Sequence, residues 1–126
     1  MTVEKTLENA LALTLESPAD NTDFADFTLS HFNLMLVELL DINNQARARK
    51  NKEPFVYAPI LENITDENPY EQELWGAMVY GLAAKLLTAD ESDLAGTYLQ
   101  QYYALVTSAL PTQNSKVVDI YASNTD

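Results

Sequence analysis

Residues 68 to 110 constrain the fold more than any other stretch, because a helix start, a helical period and a stop or cap follow one another there twice. Asn68-Pro69-Tyr70-Glu71 supplies the first start. Asn68 is suited to accept from orphan backbone donors, Pro69 fits the first helical position, and Glu71 is placed to close a capping box. The helix is therefore expected to begin at Pro69. Trp75, Met78 or Val79, Leu82 and Leu86 then recur at three- and four-residue steps, while Ala77, Gly81 and Ala84 form a second face almost free of side-chain bulk. That face predicts close packing against a neighbouring helix. Asp90 caps a further helix, Glu91 and Asp93 favour its positive end, and Leu94, Tyr98, Tyr102, Leu105 and Ala109 make its apolar stripe. Pro111 stops it.

Upstream, residues 3 to 16 place Val3, Leu7, Ala10, Leu11 and Thr14 on one face and Glu4, Glu8 and Asn9 on the other, the pattern of an amphipathic helix. Ser17-Pro18-Ala19-Asp20 ends it, and Asp20, Asn21 or Thr22 caps the next. In that second helix Phe24, Phe27, Phe32, Met35, Leu36, Leu39 and Ile42 keep the helical period to about residue 46. Leu34-Met35-Leu36-Val37 and Leu39-Leu40 spread apolar groups around most of its circumference. Such a helix is either central in a bundle or half core and half subunit interface.

Composition then changes. Arg47, Arg49, Lys50 and Lys52 are four of the seven bases in the chain. Cations in a last helical turn complement its negative end, which accounts for Arg47 and Arg49; a docking patch for an acidic partner or a phosphate backbone accounts for all four. The insertion 51–67 carries Pro54 and Pro59 with Phe55, Val56, Tyr57, Ile60 and Leu61 around them, which disfavours helix and favours extended chain. A connection of this length is more often functional or interface-forming than idle, and its apolar residues are expected to be buried somewhere. Phe55, Val56 and Tyr57 are interface candidates, as is Tyr103, which lies off the apolar stripe of its helix.

After Pro111, polar residues 112–115 lead into Lys116-Val117-Val118-Asp119-Ile120-Tyr121, an alternating strand pattern with no hairpin partner in sequence. Residues 112–126 are therefore read as an arm that adds to another chain, with Val117, Val118, Ile120 and Tyr121 making the contact. The pattern as a whole predicts an all-α fold, a small bundle of about four main helices over residues 1–111, with the extended insertion between helices 2 and 3 and the C-terminal arm after them.

Chemistry has little raw material in this chain. His31 is its one histidine and cysteine is absent, so nucleophile–base pairs have almost no raw material, and thiolate metal sites and disulfides are not available. The carboxylates lack metal-ligand spacing, and the three glycines lie in helical patterns rather than in a phosphate-cradling loop. No catalytic residue, cofactor or metal site is assigned, and an enzyme is not expected. Nor is a membrane span, since no apolar run approaches the roughly 18 residues required. Nineteen acids against seven bases, a net charge of −12, argue against a protein that reads DNA sequence.

The run Tyr70-Glu71-Gln72-Glu73-Leu74-Trp75-Gly76-Ala77-Met78-Val79-Tyr80-Gly81-Leu82-Ala83-Ala84-Lys85-Leu86-Leu87, followed by an acidic turn and a Tyr-rich helix, resembles the C-terminal half of tailed-phage head–tail connector (adaptor, or head completion) proteins. The resemblance covers mainly residues 66 to 110, and the N-terminal half is similar only in layout. It implies a virion protein of the neck, made in the host cytoplasm, forming a homo-oligomeric ring of about twelve subunits. It implies docking under the portal, a channel that DNA passes through without sequence-specific binding, and a platform for tail or stopper proteins. The alternative is an acidic helical interaction or regulatory protein of the cytosol.

Overall fold

The computed structural model describes residues 1–14, 25–87 and 92–109. Their regular structure is helical apart from one isolated antiparallel bridge between Thr2 and Glu67. The all-α expectation therefore holds.

Helix α1, Val3–Leu13, begins at Thr2, whose hydroxyl accepts from the Lys5 backbone N–H at 3.0 Å. Two further donors of its first turn are satisfied from far along the chain, Val3 N–H by the Asp66 carbonyl (3.0 Å) and Glu4 N–H by the Ile64 carbonyl (2.7 Å). It buries Val3, Thr6, Leu7, Ala10 and Leu11. Thr14 ends the helix instead of extending that face, its hydroxyl donating to the Leu11 carbonyl.

The second helix expected from the sequence is divided. Helix α2 runs Ala25–Glu38 and helix α3 Leu40–Arg49, with Leu39 between them at φ −98° and ψ 6°. The backbone ladder carries across the join through Leu39 N–H to Met35 O (2.9 Å) and Asn43 N–H to Leu39 O (2.8 Å), so α3 is a bent continuation of α2. The buried stripe Phe32, Met35, Leu36, Leu39 continues not with Ile42, which is half-buried, but with Asn43 and Ala46. Asn43 is buried because its side-chain oxygen accepts the Glu71 N–H at 2.8 Å. On the other side of α2, Leu34 and Val37 are exposed. Helix α2 is thus not the centre of the bundle; one face is core and the other meets solvent.

Asn51 ends α3 with φ 59°, in the left-handed region that asparagine tolerates. Asn51 N–H bonds the Ala48 carbonyl and Lys52 N–H the Arg47 carbonyl, closing the orphan groups of the last turn. The chain then runs without an α-helix to Trp75. A start at Pro69 is not what forms. Asn68 turns its side-chain oxygen to Tyr70 N–H (2.9 Å) in a local turn, and its own N–H goes to the Met1 carbonyl (2.8 Å). Glu71 does not reach back to Asn68. A 3-10 turn, Gln72–Leu74, leads instead into α4, Trp75–Leu87. The reason is tertiary: Tyr70 is buried with its hydroxyl donating to the Leu36 carbonyl, Trp75 Nε1 donates to the Tyr70 carbonyl, and Asn43 holds the Glu71 N–H.

Helix α4 occupies the centre, packed on α1, α2 and α5 (Ser92–Ser108). Its buried side includes Ala77, Met78, Gly81, Leu82 and Ala84, so the small-residue face lies inside. A Cβ at Gly81 would stand 2.8 Å from Met35 Sδ and 2.9 Å from the Tyr102 ring. The crossing therefore depends on the missing side chain. Helix α5 buries Ala95 and Tyr102 and half-buries Leu94, Tyr98 and Leu105, with Ala109 buried just beyond it. The helix signals at Asp20, Asn21, Thr22, Asp90, Glu91 and Pro111, and the proposed arm, lie outside the described residues.

Candidate interaction surface

The basic run turns toward its own chain. Arg47 Nη1 lies 3.3 Å from Glu71 Oε2, and Lys50 and Lys52 Nζ lie 3.1 and 2.9 Å from Oε1 of the same carboxylate. Lys50 also reaches Glu73 at 2.7 Å. Arg47 stacks over the Phe55 ring, its guanidinium carbon 4.6 Å from the centroid, and Nε donates to the Glu53 carbonyl. Arg49 Nη2 donates to the Ala109 carbonyl at 3.0 Å, tying α3 to the end of α5. Burial works to raise the Glu71 pKa, but the hydrogen bonds from Lys52 and Lys50 and their charges outweigh it, and the carboxyl sits below its ordinary value. The hydrogen bond from Lys50 likewise holds Glu73 low. Arg47, Lys50 and Lys52 thus close the entry to α4 around Glu71.

Their anchor defines one end of an unusual loop. The side-chain amide of Asn44 accepts from Phe55 N–H (2.8 Å) and donates to the Phe55 carbonyl (3.0 Å). Asn33 does the same to Leu61, accepting at 2.9 Å and donating at 3.0 Å. Each amide offers one donor and one acceptor in a plane, so each pairs with both backbone groups of one extended residue. Between these two clasps the chain bows outward. Val56, Tyr57 and Ile60 are 79%, 82% and 80% exposed. Phe55 faces inward, its ring 5.8 Å from that of Tyr70, and Leu61 packs against the core. Of the apolar residues of the insertion, Phe55 and Leu61 are thus covered within the chain, so Phe55 is not a displayed interface residue, while Val56, Tyr57 and Ile60 stand uncovered between the two clasps.

A second apolar feature lies between α4 and α5. A cavity of about 250 Å³ is lined by Ala84, Lys85, Ser92, Ala95, Gly96 and Leu99. A Cβ added at Gly96 would meet nothing within 4 Å. A smaller hollow of about 110 Å³ adjoins it through Lys85 and Leu99 and reaches α2 at Met35 and Glu38. Tyr103 is exposed at its rim, while Tyr102 is buried with its hydroxyl donating to Glu38 (3.3 Å). Leu99 and Tyr103 of α5 and Phe27, Leu34 and Val37 of α2 are exposed large apolar groups.

His31 packs beside an aromatic ring of its own helix. Its ring lies 4.2 Å from that of Phe27, Nδ1 is buried without a hydrogen-bond partner, and burial, helped by the charge of Lys85, lowers its pKa. No group of three or more His, Cys, Asp or Glu among the described residues is placed to hold a metal ion, and no helix among them is long and apolar enough to cross a membrane.

Of the residues singled out in the sequence, Arg47, Lys50 and Lys52 come together around Glu71, with Phe55 under the Arg47 guanidinium and Arg49 turned to the end of α5. Val56 and Tyr57 are displayed on the loop, Tyr103 stands apart on α5, and Ala77, Gly81 and Ala84 lie in the core. Val117, Val118, Ile120 and Tyr121 lie outside the described residues. Asn33, Asn44 and Glu71 organise the surface and escaped notice as site residues. The available signal was polarity in the wrong place: Asn33 lies between Phe32 and Leu34, and Asn44 follows Ile42 and Asn43. Compared with family models, curated proteins and solved structures, the chain matches none of them.

Proposed function

We propose that this chain is a structural assembly subunit: a ring-forming head–tail adaptor of a tailed-phage virion, which docks beneath the portal, extends the DNA channel and gives tail or neck proteins a platform. The observation that carries the reading is the 55–61 loop, which presents Val56, Tyr57 and Ile60 to solvent from a backbone fixed at both ends. Exposed apolar groups held this rigidly are expensive for a solitary chain and useful to one that is covered by a neighbour. The net charge of −12 agrees with a channel wall that repels phosphate and lets DNA slide. In this reading α2 and α3 act as one bent helix, which gives four main helices with an insertion between the second and third. Residues 112–126 are the arm that reaches the portal or a neighbouring subunit.

Electron microscopy of the purified chain, alone and mixed with its cognate portal, tests the proposal. Annular particles, or added density at the narrow end of the portal, are expected. Bare portals beside a monomer or dimer that captures a basic protein instead would overturn it in favour of the regulatory alternative.

A further inference from the structure

Val56, Tyr57 and Ile60 stand uncovered on the loop of a single copy, and the same chain carries a segment of the kind that covers such a surface. We infer that residues 117–121 of one copy pack on the 55–61 loop of the next, with Val118 and Ile120 against Val56, Tyr57 and Ile60. The inference rests on the assembly reading above and names the surface that receives the arm.

The loop is suited to receive an extended segment. Its backbone is already fixed at Phe55 and Leu61 by the two asparagine amides, so little conformational freedom is lost there on docking. Between the clasps, the N–H groups of Val56, Tyr57, Ala58 and Ile60 make no hydrogen bond to any described residue. Open main-chain donors beside exposed apolar side chains are what an added strand pairs with. Val37, one turn after Asn33 on the same side of α2, is exposed as well and widens the patch.

The arm supplies the matching half. Val117, Val118, Ile120 and Tyr121 are β-branched or aromatic, the types that fit a pleated, half-buried surface. Residues 54–61 carry no charge and residues 116–121 carry one base and one acid, so the contact joins two neutral pieces of a chain whose net charge is −12. Two such acidic copies repel over most of their remaining surface. The arm also departs from the right place. The described chain ends at Ala109, whose carbonyl accepts from Arg49 on α3, the helix whose Asn44 clasps Phe55. The residues 110–116 can span up to about 25 Å when extended, more than two helix diameters of about 10–12 Å, which lets Val117 reach a neighbouring copy. Loop and arm are different patches, so the contact is heterologous, repeats from copy to copy and closes into a ring when the rotation permits.

The absence of cysteine makes a clean test possible. Full-length Tyr57→Cys and Val118→Cys proteins, one of them tagged, are mixed and mildly oxidised. The expected product is the mixed 57–118 disulfide, since bridging needs Cα atoms within about 7 Å, with Gln113→Cys in the polar joint as the control that does not couple to position 57. Coupling at 113 as strong as at 118, or no mixed product, would overturn the inference. So would a Tyr57→Cys, Val118→Cys double variant that closes only within one chain. In parallel, Ile60→Ser in the loop and Ile120→Ser in the arm should leave melting near wild type and each weaken self-association about tenfold or more, and the combined variant should be no weaker than the weaker single one. Losses that multiply in the combined variant, or wild-type association of either single variant, would also overturn it. Wild-type particles by light scattering without the mixed disulfide would sink this contact and leave the assembly reading standing. A chain that stays monomeric both alone and with portal would sink that reading as well.

Discussion

Lys52 Nζ lies 2.9 Å from Oε1 of Glu71, across the non-helical stretch that separates α3 from α4. Only 7% of the Glu71 side chain is exposed, and Arg47 and Lys50 approach it too, so the carboxylate is the node that fixes the entry to α4. Replacing it leaves cations gathered around a neutral group. Lys50 and Lys52 are about half in water, which keeps the cost below that of a fully buried pair.

Glu71→Gln should therefore lose about 1–3 kcal/mol of stability near neutral pH. The Glu71 pKa is lowered in the fold, so its contribution is complete above the ordinary carboxylate value of 4.5 and fades as pH falls through the lower folded value. Melting curves of wild type and Glu71→Gln should converge in acid. A gap that is the same at every pH would show that packing, not charge, accounts for the loss.

Gly81 and Gly96 should respond oppositely to the same substitution. Alanine favours a helix over glycine by about 0.5–1 kcal/mol, and at Gly96 its methyl meets nothing within 4 Å. Gly96→Ala should stabilise. At Gly81 the methyl would press on Met35 Sδ at 2.8 Å and on the Tyr102 ring at 2.9 Å, and the ring cannot bend aside as a flexible chain end can. Gly81→Ala should lose about 1–3 kcal/mol in urea unfolding, and Gly81→Leu more. Equal effects at the two glycines would mean that the α2–α4–α5 crossing is looser than these distances imply.

The apolar period made the helices legible: Val3, Leu7, Ala10 and Leu11, then Phe32, Met35, Leu36 and Leu39, then Met78 and Leu82 are buried as their spacing requires. The bend at Leu39 was not legible, since neither proline nor glycine marks it and the backbone ladder survives it. Asn68-Pro69-Tyr70-Glu71 carries a strong local start signal and forms something else. Asn43 and Leu36 claim the Glu71 N–H and the Tyr70 hydroxyl from a distance, and local propensity yields to those partners. The clasps were hidden for the same reason. They join residues 11 and 28 positions apart, and only the folded backbone brings them together.

His31 predicts a separate effect nearer neutrality. Burial, with the Lys85 charge in support, lowers its pKa from the ordinary 6.5, so the unfolded chain takes up a proton that the folded chain refuses. Stability should decline as pH falls below 6.5, and the decline should level off below the folded value. His31→Phe removes the titrating group and the unpaired Nδ1. The melting temperatures of wild type and His31→Phe should diverge between about pH 7 and pH 5. Parallel curves over that interval would show that His31 titrates normally in the folded chain.

The clasps make the most direct prediction about the loop. Asn44→Ala strips partners from Phe55 N–H and C=O, and Asn33→Ala does the same at Leu61. Both sites are partly buried, so water replaces only part of what is lost, and each change should cost about 1–2 kcal/mol. Hydrogen exchange should localise the damage. The Phe55 amide should lose protection in Asn44→Ala while the Leu61 amide keeps it, and the reverse should hold in Asn33→Ala. On the assembly reading proposed above, a loosened loop would have to be reordered on docking, so either variant should also weaken assembly without altering Val56, Tyr57 or Ile60. Chymotrypsin should cut after Tyr57 faster in both variants than in wild type. If exchange and cleavage match wild type, the loop is held by the packing of Phe55 and Leu61 alone, and the two asparagines are bystanders.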